Sequence, residues 1–93
     1  MHIAAMNLEF DAAKAAANPE KHCVSFAHAE QALRDISAVT IEDPDAAEEQ
    51  RFITLGMDAL GRVLAVIHTQ RGERTRLISA RKASPKETKQ YHA

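Results

Sequence analysis

The chain reads as a small α+β domain: two N-terminal helices packed on an antiparallel β-meander of three to four strands, closed by a short C-terminal helix. Three patterns carry this expectation. Phe26, Ala29, Leu33 and Ile36 recur at helical spacing. From Arg51 onward the period changes to two, in runs over 51–56, 62–70 and 73–80. Ser84-Pro85-Lys86-Glu87 then combines a Ser cap, Pro at the first helical position and Glu at the third, a capping box.

Taken in order, residues 1–10 read as an irregular leader or a short strand, with Met6 as an alternative start of translation. Asp11 suits the N-cap of an Ala-rich helix that Asn18-Pro19 is expected to end. Ser25 caps the second helix, and residues 42–50 form an acidic connection, with an extra strand allowed near 38–42. Arg71-Gly72 is a two-residue hairpin signal, because Gly supplies the positive φ that such turns need. A turn closed there pairs His68 with Thr75, Val66 with Leu77, Leu64 with Ser79 and Arg62 with Arg81. The opposite face, with Ile53, Leu55, Val63, Ala65, Ile67, Ile78 and Ala80, is then the richer in apolar residues and is expected to receive the helices. The terminal helix is expected over 85–91.

Length and composition narrow the function classes. Ninety-three residues suffice for one core, read here as a single domain over 1–93 with 1–7 as leader. With 45% hydrophobic and 27% charged residues, the chain is not of a disordered or low-complexity type. The sequence holds no apolar run long enough to cross a bilayer and no secretory pattern at its N-terminus, so a cytoplasmic protein with no membrane partner is expected. Cys23 is the single cysteine, which points to a reducing compartment. His2, His22, His28, His68 and His92 are scattered, and neither a metal nor a cofactor is expected.

The formal charge of −1 hides an asymmetry. Residues 1–50 carry ten acids and three bases, whereas residues 51–93 carry nine bases, six of them Arg, and three acids. A basic half attracts polyanions, and the guanidinium fork suits phosphate. The same charges would also serve a non-catalytic module docking an acidic protein partner.

Lys21–Phe26 (KHCVSF), Arg51–Thr69 (RFITLGMDALGRVLAVIHT) and Arg74–Glu87 (RTRLISARKASPKE) together resemble the BrnT family of toxins from type II toxin–antitoxin modules, over about residues 8–91. The resemblance implies a RelE-like ribonuclease fold and RNA cleavage that inhibits translation. It also implies neutralisation by a cognate BrnA-like ribbon-helix-helix antitoxin, with promoter DNA bound only through that antitoxin. The chain departs from the family pattern at Cys23, where Gly is frequent, and at Phe10, where Trp is common.

Metal-free RNA cleavage needs a base for the 2′-hydroxyl, cations for the phosphorane and an acid for the leaving oxygen. Arg62 and Arg81 are the first candidates for the cationic clamp, since the expected register sets them opposite each other, where like charges repel unless an anion lies between. His68 shares their expected face and can exchange a proton near neutral pH, although six residues of strand put it about 20 Å from Arg62. Lys21 and His22 precede the second helix and can reach a sheet face; RelE-like sites often use a lysine. Arg71, Arg74, Arg76 and Lys82 read as contacts to the RNA backbone. Glu87 is explained by the capping box, and Tyr91 by packing on the core.

Overall fold

The computed structural model describes residues 7–93; the readings of a leader and of a start at Met6 fall on residues 1–6, outside the described residues. The elements are β1 (Asn7–Phe10), α1 (Ala12–His22), α2 (Phe26–Leu33), β2 (Val39–Glu42), β3 (Phe52–Met57), β4 (Val63–Arg71), β5 (Arg74–Lys82) and α3 (Pro85–His92). The five strands form one sheet in the order β1-β5-β4-β3-β2. β1 runs parallel to β5 and the other pairs are antiparallel, so the sheet is mixed rather than a purely antiparallel meander.

Local chemistry accounts for the helix starts. Asp11 accepts hydrogen bonds from the amides of Ala13 (2.7 Å) and Lys14 (3.2 Å), and Ser25 accepts one from His28 (3.2 Å). Pro19 does not end α1, which continues for one more turn to His22. That turn is held by the Cys23 amide donating to Pro19 O (2.9 Å) and by the buried Asn18 side chain. Asn18 Nδ2 donates to Val24 O (2.6 Å) and Ala80 O (2.8 Å), while its Oδ1 accepts from the Ala80 amide (3.1 Å). The amide thus supplies the backbone partners that β5 lacks beyond the end of β1. Cys23, at φ 59°, is left-handed, the conformation for which Gly is favoured at a helix C-terminus. α2 ends at Leu33, and Ile36 lies outside it, 99% exposed, rather than on its apolar face.

The hairpin turns one position later than the sequence suggests. Arg71 pairs with Arg74, so Gly72-Glu73 make the turn, with Gly72 at φ 61°. His68 then faces Leu77, and a bulge at Ile78 shifts the remaining pairs, setting Val66 against Ala80 and Ala65 against Arg81. Arg81 therefore does not oppose Arg62, which precedes β4 altogether.

The helices also take the other face of the sheet. Leu64, Val66, Leu77 and Ala80 pack with Val24, Phe26, Ala29, Ala32 and Leu33 of the α1–α2 layer. A Cβ added to Gly56 would stand 2.1 Å from Ala32 O, so α2 is seated on bare backbone of β3. The apolar count misled because the second face is covered as well: Leu55 and Ala65 are fully buried there, on the side taken by α3. α3 keeps its expected capping box, and Tyr91 Oη donates to Asp35 Oδ2 (2.5 Å).

Candidate functional site

A carboxylate shared by a histidine and an arginine lies where the β3–β4 turn meets the junction of α1 and α2. Asp58 opens that turn. Its Oδ1 accepts from the amides of Leu60 (3.1 Å) and Arg62 (2.9 Å), with Gly61 at φ 79° completing the bend. Its Oδ2 is shared by three donors: His28 Nδ1 (2.9 Å), Arg62 Nε (2.9 Å) and Arg62 Nη2 (2.8 Å). Arg62 Nη1 also donates to Cys23 O (3.0 Å), which ties the turn to the end of α1.

The Asp58 side chain is fully buried, whereas those of His28 and Arg62 are 28% and 25% exposed. Burial alone would raise the Asp58 pKa; the Arg62 amide, the Arg62 guanidinium and His28 outweigh it and hold the carboxyl below its ordinary value. An ionised carboxylate only accepts, so the His28 proton on this side sits on Nδ1. Nε2 of His28 has no protein partner among the described residues, and it faces away from the carboxylate.

Besides Arg62, three of the residues expected from the sequence belong to this end. Lys21 and His22, both exposed, form the last turn of α1, immediately before the carbonyl that Arg62 holds. Lys82 pairs with Leu64, one strand across from the start of β4. Arg71, Arg74 and Arg76 lie towards the far end of β4 and β5, roughly 20 to 30 Å away along the strands. Arg71 meets Glu49 at 3.6 Å, and Arg76 meets Glu9 at 3.2 Å. Lys21, Arg74 and Lys82 are exposed and have no carboxylate within 4 Å among the described residues.

The expected Arg62–Arg81 clamp is not formed. Each guanidinium is committed to its own carboxylate, Arg62 to Asp58 and Arg81 to Glu87, and the register separates them. Arg81 Nη1 and Nη2 donate to the two oxygens of Glu87 (2.6 and 3.0 Å), which pushes the Glu87 pKa down to about 2 against the effect of burial. That pair fastens α3 to β5, and Glu87 is fixed as an anion.

His68 is also placed otherwise than expected. It stacks on Phe52, with ring centroids 5.8 Å apart, and its Nε2 lies 2.7 Å from Thr54 Oγ1, which in turn is 2.7 Å from Thr40 Oγ1. Nδ1 is buried without a partner, and burial lowers the ring pKa to about 4, so at neutral pH it is an uncharged, partly buried residue.

His28 was not singled out by sequence reasoning. The only signal was local: an acid and an Arg four apart around Gly61, in Asp-Ala-Leu-Gly-Arg, mark a capped turn that needs a further donor. Nothing in the sequence says that the donor comes from 30 residues earlier. Among the described residues no group of three or more metal-ligating side chains is found, and no helix is long and apolar enough to cross a membrane.

Three helices on a five-stranded mixed sheet make this a small α+β domain. Residues 10–87 match the model of the family described as the ribonuclease toxin BrnT of type II toxin–antitoxin systems. The chain belongs to that family. Its structure is similar to the crystal structure of the ribonuclease toxin BrnT of Brucella abortus, with a TM-score of 0.63 and 32% identity, covering 85% of this chain and 97% of that one. No curated protein matches the sequence.

Proposed function

We propose that this protein is the toxin of a type II module and acts as a metal-independent endoribonuclease. Cleavage of cellular RNA stops translation, and a BrnA-like ribbon-helix-helix antitoxin relieves it; the pair reaches promoter DNA through the antitoxin. The observation that carries this reading is the match to the ribonuclease toxin family over most of the chain.

The surface chemistry supports it. Cations without a carboxylate partner among the described residues stand at both ends of β4 and β5, with Lys21 and Lys82 at one end and Arg74 at the other. Such a spread suits a strand of phosphates better than a single small anion. Arg62 is the cation that stays beside a titratable base, and Lys21 and His22 flank it. Arg81 holds α3 in place, and His68 takes no part in proton transfer. The site works in the cytoplasm, where its substrate is found.

Controlled expression in a bacterial host tests the reading. Growth and amino-acid incorporation into protein should stop on induction and resume when a neighbouring ribbon-helix-helix gene is co-expressed. Undisturbed growth at confirmed soluble expression would count against a toxin.

A further inference from the structure

We infer that His28 is the general base of RNA cleavage, with Arg62 as the phosphate-binding cation beside it and Asp58 as the residue that positions both. This inference rests on the ribonuclease reading above.

The geometry supplies what such a step needs. Imidazole Nδ1 and guanidinium Nη2 touch the same carboxylate oxygen, at 2.9 and 2.8 Å. Ring and guanidinium are therefore within about 6 Å of each other, close enough to engage one phosphodiester and its 2′-hydroxyl together. The buried carboxylate fixes the tautomer and turns the basic Nε2 outward. It also stabilises the imidazolium that forms when Nε2 takes a proton.

Arg62 is held from two sides, by Asp58 and by Cys23 O, so its remaining N–H groups are presented without further ordering. The charged groups at His28 are Asp58, which it contacts, and Arg62, which shares the same carboxylate oxygen, both from the β3–β4 turn; Lys21 and His22 close α1 just before the Cys23 carbonyl that Arg62 holds.

In the step itself, Nε2 of His28 accepts the 2′-hydroxyl proton and the 2′-oxygen bonds to phosphorus. The bond from phosphorus to the 5′-oxygen breaks, and the departing oxygen takes a proton from water. The products are a 2′,3′-cyclic phosphate and a 5′-hydroxyl end, and the imidazolium returns its proton to solvent. No oxidant, reductant or second substrate is required.

The test compares wild type with His28→Gln and Asp58→Asn on a short RNA, with the thermal midpoint of each variant measured alongside. His28→Gln should lower turnover by roughly 10²- to 10⁴-fold at an unchanged midpoint. Asp58→Asn should lower kcat with KM little changed, a split that mere loss of folded protein does not produce, since it lowers only the amount of active protein. On unaltered protein, inorganic phosphate should move the nitrogen resonance of His28 Nε2. Wild-type turnover in a folded His28→Gln variant, or a His28 resonance indifferent to phosphate, overturns the inference while RNA cleavage stands. A wild-type protein that cleaves no RNA overturns the ribonuclease reading and this inference with it.

Discussion

Arg81 and Glu87 form a two-point ion pair, Nη1 to Oε1 at 2.6 Å and Nη2 to Oε2 at 3.0 Å, that joins the end of β5 to the first turn of α3. Because Glu87 also accepts from the Ser84 amide (2.8 Å), one carboxylate serves both the cap and the tether. The other end of α3 is tied by Tyr91 to Asp35, whose Oδ2 accepts from the Met57 amide as well (2.8 Å).

Loss of this tether should loosen α3 without unfolding the sheet. Arg81→Ala is expected to cost about 1 kcal/mol, since the pair is partly exposed, which for a domain of this size is about 4–8 °C in thermal midpoint. Hydrogen exchange should quicken in residues 85–92 and stay slow in β4. Unchanged exchange in α3 would show that the pair does not hold it.

His68 makes stability depend on pH. Its folded pKa of about 4 lies below the ordinary value of 6.5, so the unfolded chain binds the proton more readily between these values. The contribution is complete above about pH 6.5 and fades as pH falls towards 4, by at most about 3 kcal/mol. His68→Gln, which keeps a donor for Thr54, should flatten denaturant midpoints measured between pH 7 and 4. An equally steep curve in the variant would assign the slope elsewhere.

Gly56→Ala should be among the most damaging single changes. The added Cβ meets the Ala32 carbonyl oxygen at 2.1 Å and its carbon at 2.8 Å, both backbone atoms that cannot rotate away. α2 must move off the sheet, at a cost of about 3 kcal/mol or more. Chemical denaturation at neutral pH gives the value, and a loss below 1 kcal/mol would mean that α2 is not seated as described.

Much of this fold was legible in the sequence, because it depends on local chemistry. The Ser25 and Asp11 caps, the period-two runs and the Ser84–Glu87 capping box each act within a few residues and appear where expected. The register was not legible. Moving the turn from Arg71-Gly72 to Gly72-Glu73, and adding one bulge residue at Ile78, changes every later partner, and no local pattern fixes either. The choice of face failed for a related reason: α3 covers the second face, so both sides of β3 and β4 are apolar and alternation cannot tell them apart. Pro19 was misread because the partner that sustains the last turn of α1 is Ala80, on β5. At the candidate site Lys21 and His22 could be named from residue type, whereas Arg62 was reached only through a register that the structure does not have, and the Asp58–His28 contact joins positions 30 residues apart.

Arg74 should contribute to RNA affinity through phosphate alone. Arg74→Gln is expected to reduce the slope of log affinity against log salt by about 0.7 to 1, with cleavage at saturating RNA unchanged. Fluorescence anisotropy across a salt series measures this, and an unaltered slope would remove Arg74 from the RNA surface.

The most direct test of the central claim, that this chain turns over RNA, is cleavage of a single-stranded RNA and of the DNA of identical sequence by substoichiometric purified protein. The account predicts many product molecules per protein from the RNA, ending in 2′,3′-cyclic phosphate, and none from the DNA, which lacks the attacking hydroxyl. Product that never exceeds the amount of protein, or DNA cut as fast as RNA, would contradict it.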